Sequence, residues 1–155
     1  MRKLLADYVL KKAYKDRRIF VLTGGVGYSV WDNYREQLPN QFLNCEASEQ
    51  AMLDIGVGLA LEGKIPIVYS ITPFLLYRPF ESLRLYLNHE KIPVKLVGCG
   101  RDRDYGDLGF SHWSEDDKKI MGVFENIKCY WPDNIEDVVE EFLFSNDPAY
   151  LNLKK

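Results

Sequence analysis

Short apolar runs alternate with longer amphipathic stretches along the 155 residues of this chain. Apolar runs bounded by turn formers predict buried strands, and they occupy residues 19–22, 42–44, 65–70, 94–98, 127–130 and 149–153. The stretches between them predict helices at residues 2–14, 31–37, 48–62, 74–88, 114–121 and 134–145. Strands that alternate with crossover helices are typical of an α/β fold. We therefore expect a doubly wound, mostly parallel sheet in one domain over residues 1–155.

Four loops that follow predicted strands hold most of the polar residues of interest. They cover residues 23–29, 45–49, 70–74 and 98–112. In a doubly wound sheet, ligands bind beyond the carboxyl ends of the strands. We therefore expect a functional site at that edge of the sheet.

Charge and composition narrow the classes of function. The net charge is −3 and no basic block occurs, so we expect no nucleic-acid partner. No apolar run reaches the roughly 20 residues of a membrane-spanning helix, and the early charged residues argue against a secretory signal. The three cysteines (Cys45, Cys99 and Cys129) lack metal-ligand spacing, which favours reduced thiols in a cytoplasmic protein.

Two candidate sites have a structural and a functional interpretation. Glu49 lies in the first turn of a predicted helix, where a carboxylate either stabilises the helix or serves a site, and Glu46 is equally eligible. The glycines at residues 24–27 lack the ending of a phosphate-binding loop and the dinucleotide spacing. They favour a tight turn with positive backbone angles over nucleotide binding, which remains an alternative.

Aromatic and histidine residues supply further candidates. Phe74, Tyr77 and Phe80 recur at intervals of three, which is typical of a core-facing helix face or of a ligand platform. Pro79 within this segment predicts a kink. His112 ends a charged loop, as a helix cap or as a functional group, and no histidine–carboxylate pair has the spacing of a metal site.

Several collinear segments resemble the pyrimidine-binding domain of the transketolase-type thiamine-diphosphate enzymes. The similar segments are residues 19–29, 42–50, 58–63, 108–112 and 148–151, and together they extend over nearly the whole chain. The resemblance implies that Glu49 is the glutamate that hydrogen-bonds N1′ of the cofactor's aminopyrimidine and activates it. It further implies that Phe74, Tyr77 and Phe80 surround the pyrimidine ring and that His112 faces the substrate.

The same resemblance implies a partner chain. In this family the cofactor lies between a pyrimidine domain and a diphosphate domain, whose Gly-Asp-Gly motif and downstream asparagine hold Mg²⁺ and the diphosphate. The sequence has no such motif and no third, C-terminal domain. We therefore expect a subunit of the Gly-Asp-Gly type as partner, in a heterotetramer that binds thiamine diphosphate and Mg²⁺.

The expected reaction is transfer of a two-carbon ketol unit from a ketose or keto-acid donor to an aldehyde acceptor. Sugar-phosphate positions of the family are altered, since Arg101 or Gly100 stands near a substrate histidine and Asn152 or Lys154 near a phosphate-binding arginine. This difference favours an unphosphorylated or nucleotide-linked sugar. The alternatives are a subunit of a two-component 2-keto-acid decarboxylase and a non-catalytic binding module of the pyrimidine type.

Overall fold

The computed structural model describes residues 1–155 and contains one six-stranded sheet. Its strands are β1 (Ile19–Thr23), β2 (Phe42–Asn44), β3 (Ile65–Ile71), β4 (Lys95–Cys99), β5 (Lys128–Tyr130) and β6 (Ala149–Leu153). The strand order is β2-β1-β3-β4-β6-β5, and every neighbouring pair is parallel. The expected doubly wound α/β fold is confirmed, and the sheet is parallel throughout.

Seven α-helices connect and cover the strands. They are α1 (Arg2–Ala13), α2 (Asp32–Gln37), α3 (Glu49–Leu61), α4 (Thr72–Tyr77), α5 (Phe80–Ser82), α6 (Asp117–Met121) and α7 (Val139–Phe144). A π-helix, Leu83–His89, continues directly from α5, and short 3₁₀ turns precede α7 and occupy the loop after β4. All six predicted strands are present with boundaries shifted by a residue or two.

The prediction of one continuous helix at residues 74–88 is wrong. Helix α4 begins at Thr72 and ends at Tyr77, and α5 starts only after Pro79. The proline ring has no N–H to donate to the preceding turn, so the helical hydrogen bonds are interrupted there. The kink predicted at Pro79 is therefore a full break between two short helices.

Two hydrophobic clusters cover the two faces of the sheet. One contains 20 buried residues and joins α1 and α7 to the face that carries Ile67 and Val97. The other contains 15 buried residues and joins α3 and the π-helix to the face that carries Val68 and Leu96. Strands β3 and β4 are thus covered on both sides, as expected for strands that read as continuous apolar runs. They form a rigid base for the loops at their carboxyl ends.

The chain changes direction in the sheet between β1 and β3. From β1 it moves outward to β2, and α3 then carries it back across to β3 on the other side of β1. Loops at such a point diverge and leave a crevice, which is where doubly wound folds bind ligands. The loops after β1, β2 and β3 meet at this crevice.

Two further observations concern classes of protein that the sequence argued against. None of the helices is long and apolar enough to cross a membrane. The thiols of Cys45, Cys99 and Cys129 are all free.

Candidate active site

Glu49 is a buried carboxylate at the start of α3, with 1% of its surface exposed. Its Oε1 accepts a hydrogen bond of 2.9 Å from the hydroxyl of Ser70, at the end of β3. Its Oε2 accepts a hydrogen bond from the guanidinium of Arg78, in the break between α4 and α5. A carboxylate buried this deeply is stable only with such partners, so its position is determined by three separate segments.

Gly24, directly after β1, closes the fourth side of the carboxylate. A Cβ at this position would lie 2.9 Å from Oε1 of Glu49 and 2.9 Å from Oγ of Ser70. Only glycine allows the backbone this close to both groups. The neighbouring Gly25 and Gly27 have φ angles of 69° and 94°, which confirms the predicted tight turn.

Asn44 holds the loops after β1 and β2 together. Its side-chain oxygen accepts hydrogen bonds from the backbone N–H groups of Gly25 (3.0 Å) and Glu46 (3.1 Å). Its amide nitrogen donates to Oε1 of Glu46 at 2.7 Å. Glu46 is exposed and has a φ of 50°, so it belongs to the turn, whereas Glu49 faces inward. The structure thus separates two glutamates that the residues alone did not distinguish.

Phe74 is the aromatic residue that lies beside this carboxylate. The guanidinium carbon of Arg78 stands 4.0 Å from the centre of the Phe74 ring. The ring of His112 approaches Phe74 edge-on, with 4.9 Å between centres and an angle of 70°. Glu49, Arg78, Phe74 and His112 therefore form one contiguous group at the carboxyl edge of the sheet.

Tyr77 and Phe80 lie apart from this group because of the break at Pro79. Tyr77 is 43% exposed and lines a cavity of about 280 Å³, together with Phe110 and Trp113. Partial burial, and a hydrogen bond to Asp116, raise the pKa of the Tyr77 hydroxyl above its ordinary value. Phe80 packs on Phe124, with 5.3 Å between ring centres, against the core on the α3 side.

The loop that carries His112 is fixed at its base. The backbone N–H of Ser114 donates to the carbonyl of Asp102 at 2.8 Å, and its hydroxyl donates to the carbonyl of Gly100 at 2.9 Å. His112 itself is half-buried, and its Nδ1 lies 3.0 Å from the hydroxyl of Ser111. The imidazole is thus held at the rim of the crevice by a structured loop.

Below this loop, a buried network is centred on Asp117. Its Oδ2 accepts hydrogen bonds from Trp131 Nε1 (2.7 Å), Tyr150 Oη (3.0 Å) and Asn152 Nδ2 (2.9 Å). Arg101 donates to the side-chain oxygen of Asn152 at 3.1 Å and to its carbonyl at 2.8 Å. The guanidinium of Arg101 is therefore engaged within the protein and holds the start of the loop.

Several residues of this site were missed from the sequence. Ser70 and Arg78 contact the carboxylate directly, while Asp117 supports the loop. A polar residue at the carboxyl end of an apolar strand was the available signal for Ser70. For Arg78 the signal was a lone cation within the aromatic segment. No group of three or more His, Cys, Asp or Glu side chains is arranged to hold a metal ion.

Comparison with known proteins places the chain in a family. The family model described as "Transketolase, pyrimidine binding domain" matches residues 1–150. The chain is 28% identical over 121 residues to a subunit of the apulose-4-phosphate transketolase of Actinobacillus succinogenes, which covers 76% of this chain and 39% of that protein. It is 27% identical over 157 residues to 6-deoxy-6-sulfo-D-fructose transketolase subunit SqwH of Clostridium sp. (strain MSTE9), covering 99% and 49%.

A solved structure shares the fold. It is titled "Split gene transketolase, inactive beta4 tetramer" and superposes with a TM-score of 0.85 at 22% identity, over 99% of this chain and 50% of that one. The chain thus spans half or less of the length of these proteins. The match to the family model extends from the first helix to the last strand of the sheet. The chain therefore belongs to the transketolase family, in which it corresponds to the pyrimidine-binding domain.

Proposed function

We propose that this chain is the pyrimidine-domain subunit of a thiamine-diphosphate-dependent, transketolase-like enzyme. The enzyme would transfer a two-carbon ketol unit from a ketose or keto-acid donor to an aldehyde acceptor. The observation that carries the proposal is the buried carboxylate of Glu49 at the crevice between β1 and β3, in a chain of this family. A carboxylate that is wholly buried at a ligand-binding edge is expensive for the fold and is typical of a functional group.

The residues present fit the aminopyrimidine half of the cofactor. Glu49 offers a carboxylate, Phe74 offers an aromatic ring beside it, and Gly24 keeps the backbone clear of both carboxylate and ring. A planar heterocycle gains from an aromatic face and from a charged hydrogen-bond acceptor. Tyr77 and Phe80 remain predicted contacts, with Tyr77 at the exposed side and Phe80 nearer the core.

Thiamine diphosphate supplies a nucleophilic carbon and an electron sink for cleaving the bond beside a carbonyl. In this chain, Glu49 would share a proton with N1′ of the ring, while the Ser70 hydroxyl orients its second oxygen. His112 would hydrogen-bond the carbonyl or hydroxyl oxygen of the substrate from the rim. The fixed base of its loop would keep that imidazole in place during turnover.

The rest of the active site would come from a partner chain. We propose a subunit of the Gly-Asp-Gly type that holds Mg²⁺ and the diphosphate, in a heterotetramer of two copies of each chain. Relatives that are named as single subunits of a transketolase support this arrangement. We propose further that the isolated chain forms an inactive homotetramer, because a structural neighbour is described as an inactive β4 tetramer. A cytoplasmic location fits free thiols and a phosphorylated cofactor.

The substrate class follows from what the site leaves free. Arg101 is engaged by Asn152, so it does not offer its guanidinium to a substrate phosphate. This arrangement favours an unphosphorylated or nucleotide-linked sugar as substrate. The alternative keto-acid decarboxylase would release carbon dioxide from a keto acid alone, without an aldehyde acceptor, and product analysis separates the two.

The first test replaces Glu49 by glutamine in the complete enzyme. The partner is first recovered by affinity purification of the tagged chain from its native cells, followed by mass spectrometry. We expect Glu49→Gln to lower kcat by about 100-fold or more, because a positioned proton-transfer group contributes about 10²–10⁴-fold. Assembly with the partner, measured by size-exclusion chromatography, should be unchanged.

Glu46→Gln is the matched control. Glu46 lies three residues earlier, is exposed, and keeps an acceptor for the Asn44 amide when changed to glutamine. Its activity should stay within about twofold of the wild type, because exposed substitutions usually change free energies by less than about 0.5 kcal/mol. Wild-type activity in Glu49→Gln would exclude the proposed role and favour the non-catalytic binding module.

A further inference from the structure

Arg78 occupies the position between the buried carboxylate and the aromatic ring of the site. Its guanidinium donates to Oε2 of Glu49, and it lies 4.0 Å from the ring centre of Phe74. We propose that Arg78 is an exchangeable counter-ion, which holds Glu49 in the unloaded protein and is displaced when the aminopyrimidine binds. The proposal rests on the proposed function, since it concerns the same carboxylate.

Charge explains why the unloaded protein needs this residue. The side chain of Glu49 is completely buried, and its other oxygen has only the neutral hydroxyl of Ser70 as donor. An ionised carboxylate without a cation is strongly disfavoured in such a place. Arg78 is the one cation that the structure brings to it. Without Arg78, the empty site would contain an uncompensated negative charge.

Shape explains why the cofactor and Arg78 compete. A guanidinium is planar, donates hydrogen bonds in its plane and stacks on aromatic rings through its face. An aminopyrimidine has the same three properties. Arg78 already uses Oε2 of Glu49 and the face of Phe74, which are the two partners proposed for the pyrimidine. Both groups cannot use the same oxygen and the same ring face at once.

Arg78 is also free to leave. Its side chain is 42% exposed, and its guanidinium has no hydrogen-bond or ion-pair partner other than Glu49. It lies in the break before Pro79, at the end of the short helix α4. A long side chain at such a position can turn into solvent without disturbing the core. The exchange therefore requires a rotamer change and leaves the backbone in place.

The chemistry of the site requires this departure. A guanidinium in contact with a carboxylate favours the ionised form. Glu49 can share a proton with a ring nitrogen only when that contact is broken. Arg78 would thus keep the carboxylate silent until the ring arrives, and ring binding would itself release the carboxylate for catalysis.

The experiment measures binding to the full chain, without turnover. The probe is hydroxymethylpyrimidine, the neutral aminopyrimidine half of thiamine, titrated by NMR into the wild type, Arg78→Met and Arg84→Met. Arg84 is exposed on the π-helix and has no hydrogen-bond or ion-pair partner, so its replacement controls for net charge. We expect Arg78→Met to bind the probe about threefold to tenfold more tightly than the other two, because no ion pair has to be broken. Arg78→Lys should be intermediate, since an ammonium keeps the charge without the planar stack.

A second readout uses the unaltered protein. The Nε–H signal of Arg78, assigned from its loss in Arg78→Met, should move towards a solvent-exposed position as the probe saturates the wild type. Equal or weaker binding by Arg78→Met, an Arg78 signal that stays unchanged at saturation, or no binding by Arg78→Met would each overturn the proposal. These results would leave the transketolase assignment standing as long as Glu49→Gln inactivates the assembled enzyme.

Discussion

Gly24 determines how closely the first strand approaches the buried carboxylate. A methyl group there would come within 2.9 Å of Oε1 of Glu49 and of Oγ of Ser70, and both side chains are fully enclosed. We expect Gly24→Ala to lower the free energy of unfolding of the isolated chain by about 1–3 kcal/mol, as overpacking does in other cores. It should also lower the activity of the assembled enzyme, because the carboxylate would be displaced. Chemical denaturation checks the first effect.

Gly58 provides the control for this substitution. It lies within α3, and a Cβ there would meet no atom within 4 Å. Gly58→Ala should therefore raise the free energy of unfolding by about 0.5–1 kcal/mol, because alanine restricts the unfolded chain. If both glycine substitutions shifted the denaturation midpoint in the same direction, the steric argument for Gly24 would be wrong.

The contacts of single residues were only partly predictable. The resemblance to a family drew attention to Glu49, and its deep burial adds a reason that no local pattern contained. Arg78 and Ser70 lie 29 and 21 residues from Glu49 in sequence. Their contacts depend on how three loops converge, so propensity and periodicity carry no signal for them.

At the scale of elements, one proline decides the geometry of the aromatic segment. A spacing of three suggested that Phe74, Tyr77 and Phe80 share a helix face, but α4 ends at Tyr77 and Pro79 separates it from α5. The strands were predicted more closely than the helices. Apolar runs mark buried strands directly, whereas helix ends depend on tertiary contacts that override local preference.

Lys95 ties the start of β4 to the segment after α7. Its ammonium donates to the carbonyls of Ser145 (2.7 Å) and Asp147 (2.6 Å). Burial lowers the pKa of Lys95 to about 8, from an ordinary value of 10.5, while the carboxylate of Asp147 opposes this. The unfolded chain therefore holds this proton to higher pH, and Lys95 adds stability as the pH rises from about 8 to 10.5.

Urea denaturation at several pH values tests this prediction. Relative to Lys95→Met, the wild type should gain up to about 3 kcal/mol in free energy of unfolding across that interval. Lys119→Met, at an exposed lysine of α6 without a hydrogen-bond or ion-pair partner, should follow the wild type at every pH. Parallel curves for the wild type and Lys95→Met would show that Lys95 keeps its proton in the folded protein.

At the scale of the whole molecule, the proposed assembly has a direct test. The chain exposes large apolar side chains, among them Phe110 (82%), Leu61 (70%) and Ile55 (42%). Stable interfaces bury such groups over about 1,200 Å² or more. We expect light scattering to give the mass of four protomers for the isolated chain, and addition of the partner to convert it to an active heterotetramer. A monomer at micromolar concentration would contradict self-association and leave the proposed activity open.

The general architecture was readable from the sequence, because the alternation of strands and helices leaves few topologies. The position of the crevice followed from the same alternation, since it lies where the strand order reverses between β1 and β3. The side-chain network on Asp117, in contrast, joins β6, α6 and the segment after β5. It could not be anticipated, because it depends on strand register.

The strand order divides the site into two halves with separate origins. Gly24, Glu49, Ser70 and Phe74 follow β1, β2 and β3, whereas His112 and Arg101 belong to the loop after β4, which is fixed through β6. In evolutionary terms, the two halves are open to independent selection. Mutations in the loop after β4 could replace one sugar by another while the carboxylate and its partners stay unchanged. A lineage of such subunits could therefore diversify in diet without reinventing its cofactor chemistry.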